Sequence, residues 1–307
     1  MNRSLLFLPL LAASCTTAVD EEASLAFAET VVEVPGFVDF LLVDGDTVWS
    51  TNEGRVEQWS REGKIATVEM PRPCGTMAME AGSLWVGNCE GGELYRIGPD
   101  TGQVLARIPA GIGPSGEQNV VGGAGAVWAP NQAAGTITRI DPATNSITAE
   151  IAVAPGTTFL AYGFDALWAV SSAGGTLQRI DPASNTVTGT VELGDTPGFL
   201  AAGEGAVWVQ EQGDGTVARI NPETLAVTGR TKVGDNLKWG DIDTGEGKIW
   251  LRTTDEQTFV VIEAANGEIL ARVGRPEGSG AIRYTPEGIW TSAHDVDSIN
   301  WWALSGE

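Results

Sequence analysis

Histidine is almost missing from this chain: its 307 residues include one, His294, together with three cysteines. A tetrahedral zinc centre would consume nearly all of them at once, so most zinc chemistry is excluded and no metal site is expected. Basic residues are scarce as well. Eighteen Lys and Arg stand against 40 Asp and Glu, a formal net charge of −22, and no Lys/Arg cluster occurs. Such a surface repels a phosphate backbone, so nucleic acid is not an expected partner. Apolar stretches are short, and the N-terminal one from Leu5 to Ala13 falls well below the roughly 20 residues needed to span a bilayer. The 3.6-residue apolar period of an amphipathic helix is also lacking. What the chain does have is 42% hydrophobic residues, 40 glycines and 11 tryptophans, ample material for a packed core.

The N-terminus carries an address. Met1 to Ser14 (MNRSLLFLPLLAAS) combines one positive charge at Arg3, an apolar segment and small residues, the pattern of an export signal over residues 1–14. The Leu-Ala-Ala-Ser-Cys sequence ending at Cys15 resembles the lipobox of bacterial lipoproteins. That resemblance implies a lipidated Cys15 as the new N-terminus, and Thr16 in place of Asp implies an outer-membrane destination in a Gram-negative cell. Ordinary signal cleavage with Cys15 incidental is the alternative. Residues 15–27 are polar, acidic and aperiodic, as a tether would be. The expectation is an exported cell-envelope lipoprotein, periplasmic or surface-facing, that touches the membrane only through its anchor.

Residues 28–307 read as one unit repeated seven times. An aliphatic residue precedes Trp49, Trp85, Trp128, Trp168, Trp208, Trp250 and Trp290, at spacings of 36, 43, 40, 40, 42 and 40. A period near 40 with short alternating strands is the signature of a four-stranded propeller blade. The predicted fold is therefore all-β, a seven-bladed β-propeller of four-stranded antiparallel blades. The repeated tryptophans pack blade against blade. Asp141-Pro142, Asp181-Pro182 and Asn221-Pro222 place an acceptor and a fixed φ at the first two positions of a type I turn. The last repeat holds three strands before the chain stops. Glu29–Val34, followed by Pro35-Gly36-Phe37, is similar to Thr190–Leu193 followed by Pro197-Gly198-Phe199, so the N-terminal segment should complete the last blade and close the ring. Cys74 and Cys89 flank a hairpin with its turn near Ala81-Gly82. A two-residue turn propagates its pairing outward to 74 opposite 89, which in an exported protein predicts a disulfide.

The unit of L/V-W, a G-T-x-x-x-R-I strand and a D-P-x-[ST]-N turn resembles the bacterial YVTN (YncE-like) propellers and the related virginiamycin B (streptogramin) lyase superfamily, from about Glu29 to Gly306. The lyases use a catalytic histidine with acidic neighbours and a magnesium ion, and a second histidine nearby is important. Their W-F-T-E-like strand ends correspond here to Trp49-Ser-Thr-Asn-Glu53 and Trp290-Thr-Ser-Ala-His294, and only one histidine is available. By this resemblance His294 would be the base, with Glu53 or Glu211 helping, and magnesium would be a cofactor only in a lyase-like protein.

In a propeller, function usually sits on the face carrying the loops between blades and between second and third strands. Those loops place Asn52, Asn88, Asn131, Gln132 and Gln212 on a polar rim, with Arg252 nearby. The blade connection Gly111–Asn119 is the longest, and Asn236–Asp241 contributes Lys238 and Trp239. These residues are the expected ligand contacts, with a polar loop surface and a channel-plugging Trp239 as the plainer readings. The G-x-G-x-x-G match at Gly111–Gly116 lacks the helix that dinucleotide binding needs. Asp295 would point to the face opposite His294 if the strand continued, leaving no Ser-His-Asp arrangement. Scarcity of catalytic residues favours a monomeric, cofactor-free, non-catalytic binding or scaffold module for a protein, glycan or small ligand. The alternative is a virginiamycin B lyase-like lyase or hydrolase acting on a cyclic ester or related small molecule.

Overall fold

Alternating β-branched and aromatic residues bounded by Gly, Asn and Asp turns favour short antiparallel strands, and the described residues form 28 of them. The computed structural model describes residues 25–114, 117–238 and 240–305. The signal segment, Cys15 and Trp239 lie outside the described residues. The strands assemble into seven four-stranded antiparallel sheets. The first blade comprises Leu41–Asp44, Thr47–Asn52, Arg55–Ser60 and Gly63–Glu69, and the sixth ends with Ile269–Val273. Consecutive blades meet mainly through their first strands, which surround the axis.

The seventh blade closes the ring as the sequence predicts. Ile282–Thr285, Gly288–Ala293 and Ser298–Ser305 are joined by the N-terminal strand Ala26–Glu33, which pairs antiparallel with Ser298–Ser305 from Ala26↔Ser305 to Glu33↔Ser298. The strand begins three residues before the predicted Glu29. Phe27 accounts for this extension, because its ring packs edge-on against Phe259 at 5.3 Å and Trp250 at 6.3 Å.

All seven repeated tryptophans are fully buried. Burial of an indole N–H demands an acceptor. Trp85, Trp128, Trp168, Trp208 and Trp250 each donate to the carbonyl five residues earlier, at the end of the preceding strand. The D-P-x-[ST]-N turns run one residue longer than a type I turn, since the Asn145 N–H bonds to Asp141 O at 2.8 Å and Asn185 N–H to Asp181 O at 2.9 Å. Both asparagines adopt left-handed backbone, at φ 57° and 55°, and their side chains reach a neighbouring blade. Arg139 lies over the Trp128 ring at 5.0 Å and donates to Pro182 O and Asn185 Oδ1 at 3.0 and 2.9 Å. Arg96, over Trp85 at 5.2 Å, binds Asn145 Oδ1 at 2.9 Å in the same way. The motif is thus a latch between blades.

Cys74 and Cys89 form the predicted disulfide, with Cα atoms 6.0 Å apart. Its register differs from the expected one. Glu80↔Ser83 does hold around a turn with positive φ at Ala81 and Gly82, but a bulge between Cys74 and Ala78 brings Cys74 opposite Gly87. Gly75 sits in that bulge at φ 72°, and a Cβ there would lie 1.7 Å from Gln118 O, so no larger residue fits.

Candidate active site

On the face carrying the blade connections lies a cavity of about 700 Å³. Phe37, Phe40 and Phe199 form an apolar wall, and Asp39, Glu53, Glu90 and Glu117 supply carboxylates. Arg72, Ser279 and His294 complete the functional lining. Phe199 packs on Phe159 at 4.6 Å and on Phe40 at 6.0 Å, which makes the wall continuous with the core.

His294 is the centre of this arrangement. The strand Gly288–Ala293 ends in a 3₁₀ turn over His294–Val296, followed by Asp297 at φ 53°. The turn swings Asp295 back, so that its Oδ1 lies 3.1 Å from His294 Nε2. The expectation that Asp295 faces away is corrected, because the strand does not continue. The His294 side chain, 12% exposed, is stacked on Phe37 with ring centroids 3.9 Å apart. Ser279 Oγ lies 2.6 Å from Nε2 and 3.4 Å from Nδ1, and Asp39 Oδ1 lies 3.7 Å from Nδ1.

Glu117, in the long connection, stands at the cavity rim. Its carboxyl is pushed above the ordinary range, first by enclosure and then by the charges of Asp39 and Asp241. Asp241, at the start of the sixth blade, is buried and pairs with Arg283 at 2.5 Å. Burial nevertheless pushes its carboxyl upward.

The sequence-predicted site residues divide into two groups. His294, Glu53 and Asn52 line the cavity together. Asn52 spends its capacity on structure, accepting from the N–H of Phe37 and of Glu53 and donating to Pro35 O and Glu57 Oε2. Asn88 is buried and accepts from Arg72 N–H at 3.2 Å. Asn131 accepts from Ala134 N–H, Gln212 donates to Gln210 Oε1, and Gln132 and Lys238 are exposed. None of these five lines the cavity.

Glu211 is also away from it, fully buried and bonded to Arg230, Thr216 Oγ1 and Gly194 N–H. Burial opposes its ionisation, but those donors outweigh burial and hold its carboxyl below the ordinary value. Arg252 is wholly buried and donates to the backbone carbonyls of Thr253, Thr258, Gly278 and Ser292. Burial lowers its pKa to about 10. Through Gly278 and Ser292 it braces the two segments that carry Ser279 and His294. Ser279, Asp39, Phe37 and Glu117 were not singled out from sequence. Of these only Glu117 had a signal, its place in the longest blade connection.

No family model matches the chain, and no curated protein matches it by sequence. Solved structures do. A catalytically inactive virginiamycin B lyase from Staphylococcus aureus, determined with quinupristin, superposes with a TM-score of 0.78 at 17% identity, covering 91% of this chain and 100% of that one. A streptogramin B lyase gives 0.79 at 17% identity, over 92% and 98%. Hydrazine synthase from Kuenenia stuttgartiensis gives 0.77 at 14%, over 90% and 97%. Likeness at these identities establishes the propeller fold, which unrelated activities share.

The recurrence of lyases among the matches, one studied as an inactive variant, corrects the expectation of a non-catalytic binding or scaffold module. The magnesium ion that the lyase resemblance implies finds no fitting donor set. Among the described residues no three His, Cys, Asp or Glu side chains converge as metal ligands, so no step is derived through a metal.

Proposed function

We propose that the chain is an exported, lipid-anchored enzyme that opens a cyclic ester or related small molecule by cleaving a C–O bond, with His294 as base. The observation that carries this reading is the placement of the sole histidine on a cavity of about 700 Å³, between Ser279, Asp39 and Asp295 and against Phe37. Asp39 and Asp295 flank the imidazole and hold its orientation toward the cavity. In an elimination, Nε2 takes the proton from the carbon next to the one bearing the ester oxygen. The C–H electron pair becomes the new double bond and the C–O pair leaves with the carboxylate. Glu117, whose carboxyl is pushed upward first by enclosure and then by the charges of Asp39 and Asp241, stands on the same cavity as the donor to that leaving oxygen, and the phenylalanine wall suits an apolar ring substituent. Export and anchoring are supported by the residue pattern of Met1 to Cys15.

The test uses quinupristin as a cyclic ester probe, followed by mass spectrometry. Elimination opens the ring without changing its mass, and His294→Ala should slow opening at least about 100-fold. Opening that proceeds undiminished in His294→Ala removes this mechanism.

A further inference from the structure

We propose that Ser279 is a nucleophile that hydrolyses carboxylic esters by acyl transfer, a reaction distinct from elimination that rests on the proposed function only in sharing His294. Activation of a serine needs a base at hydrogen-bond distance and a third group that orients the base. Ser279 Oγ lies 2.6 Å from Nε2, and Asp39 Oδ1 lies 3.7 Å from Nδ1, on the other ring nitrogen. Contacts of this kind are commonly longer before substrate binds.

The serine is also presented rigidly. It stands between Gly278 and Gly280, where added Cβ atoms would lie 2.3 Å from Asp295 Cβ and 2.2 Å from Ser292 O. Its carbonyl accepts from His294 N–H at 3.1 Å, its N–H donates to Asp295 Oδ2 at 3.4 Å, and Gly278 O is held by Arg252. Ser279 and His294 line both the mouth cavity and a second cavity of about 570 Å³ beside Thr254, Pro276 and Val296. An ester bond poised at Ser279 can therefore place its two halves in different cavities. Asp39, Glu53, Glu90 and Glu117 on the first cavity select against carboxylate-bearing esters and favour neutral or cationic ones.

In the first step Oγ bonds to the ester carbonyl carbon and Nε2 takes the hydroxyl proton. The tetrahedral adduct then collapses, the C–O bond to the alcohol breaks, and the imidazolium returns its proton to the leaving alkoxide. Water attacks the acyl-serine by the same route, releasing the acid and restoring Ser279.

The experiment is labelling of the full chain with an alkyl fluorophosphonate, in which an O–P bond forms at the serine, the P–F bond breaks and fluoride departs. Peptide mapping should find one adduct, on Ser279. Labelling should vanish in Ser279→Ala, fall at least about 100-fold in His294→Ala and about tenfold in Asp39→Asn. No adduct, an adduct elsewhere, or labelling that ignores His294→Ala overturns the proposal. With quinupristin, ring opening that gains one water, with solvent oxygen incorporated, supports hydrolysis. Opening at unchanged mass without a Ser279 adduct supports elimination and overturns hydrolysis, and an adduct without that product does the reverse.

Discussion

Glu57 and Glu211 are buried carboxylates in a molecule with an excess of negative charge, and both stay ionised because donors surround them. Glu57 receives Arg55 at 2.9 Å, Lys64 at 3.1 Å and Asn52 at 2.9 Å, and Glu211 receives Arg230 at 2.8 Å. The depressed pKa of Glu211 fixes the sign of its linkage. Its stabilisation is present above the unfolded carboxylate value and is lost as pH falls through the lower folded one. Glu211→Gln should therefore cost about 2 kcal/mol in urea unfolding at pH 7, and the gap to the parent should close on acidification. A gap independent of pH would mean that Glu211 stabilises through packing alone.

At this scale the sequence placed residues at strand ends but not their bonds. Asn52, Asn88, Glu211 and Arg252 have the composition of a ligand rim, yet their partners come from Pro35, Arg72, Gly194 and Gly278, brought close only by folding. Ser279 and Asp39 were illegible for the same reason. They meet His294 from two blade connections, 15 and 255 residues away.

Elements were far more readable, because each blade repeats its own instructions. The period of the tryptophans gives strand number and order, and the D-P-x-[ST]-N turn marks the hairpin between third and fourth strands. What the repeat did not show is the turn's contact with Arg139 or Arg96 of the preceding blade. That latch has two separable parts, a left-handed backbone and a side-chain acceptor. Asn185→Gly keeps the first and loses the second, and should cost about 1 kcal/mol. Asn185→Ala loses both and should cost about 2 kcal/mol, since Ala pays the left-handed penalty. Chemical denaturation of the two variants beside Arg139→Ala checks this. Equal losses for Gly and Ala would assign the asparagine to the bond alone. The disulfide shows the limit of counting along a hairpin, since Cys74 meets Cys89 across a bulge rather than in register.

For the whole molecule the decisive bond is between the two ends of the chain. Six blades form from local hairpins, but the seventh draws its outer strand, Ala26–Glu33, from some 270 residues away. The strand does more than complete a sheet. Glu29 accepts from Asn300 at 2.6 Å and from Arg275 at 2.9 Å, and Arg275 also pairs with Glu277, which leads into Gly278 and Ser279. Closure and the segment that carries Ser279 are therefore tied by one set of charges. Removing residues through Glu33 leaves Ser298–Ser305 paired only with Gly288–Ala293, exposes its outer edge and takes Phe27 off Phe259 and Trp250, so the ring can open without a cooperative penalty. The van't Hoff enthalpy of the shortened protein should fall well below its calorimetric enthalpy, whereas the two should be equal for the full chain. The hydrogen-exchange protection of the seventh blade should fall before that of the third. A shortened protein that melts in one transition like the full one would show that six complete blades and a three-stranded seventh suffice to hold the ring.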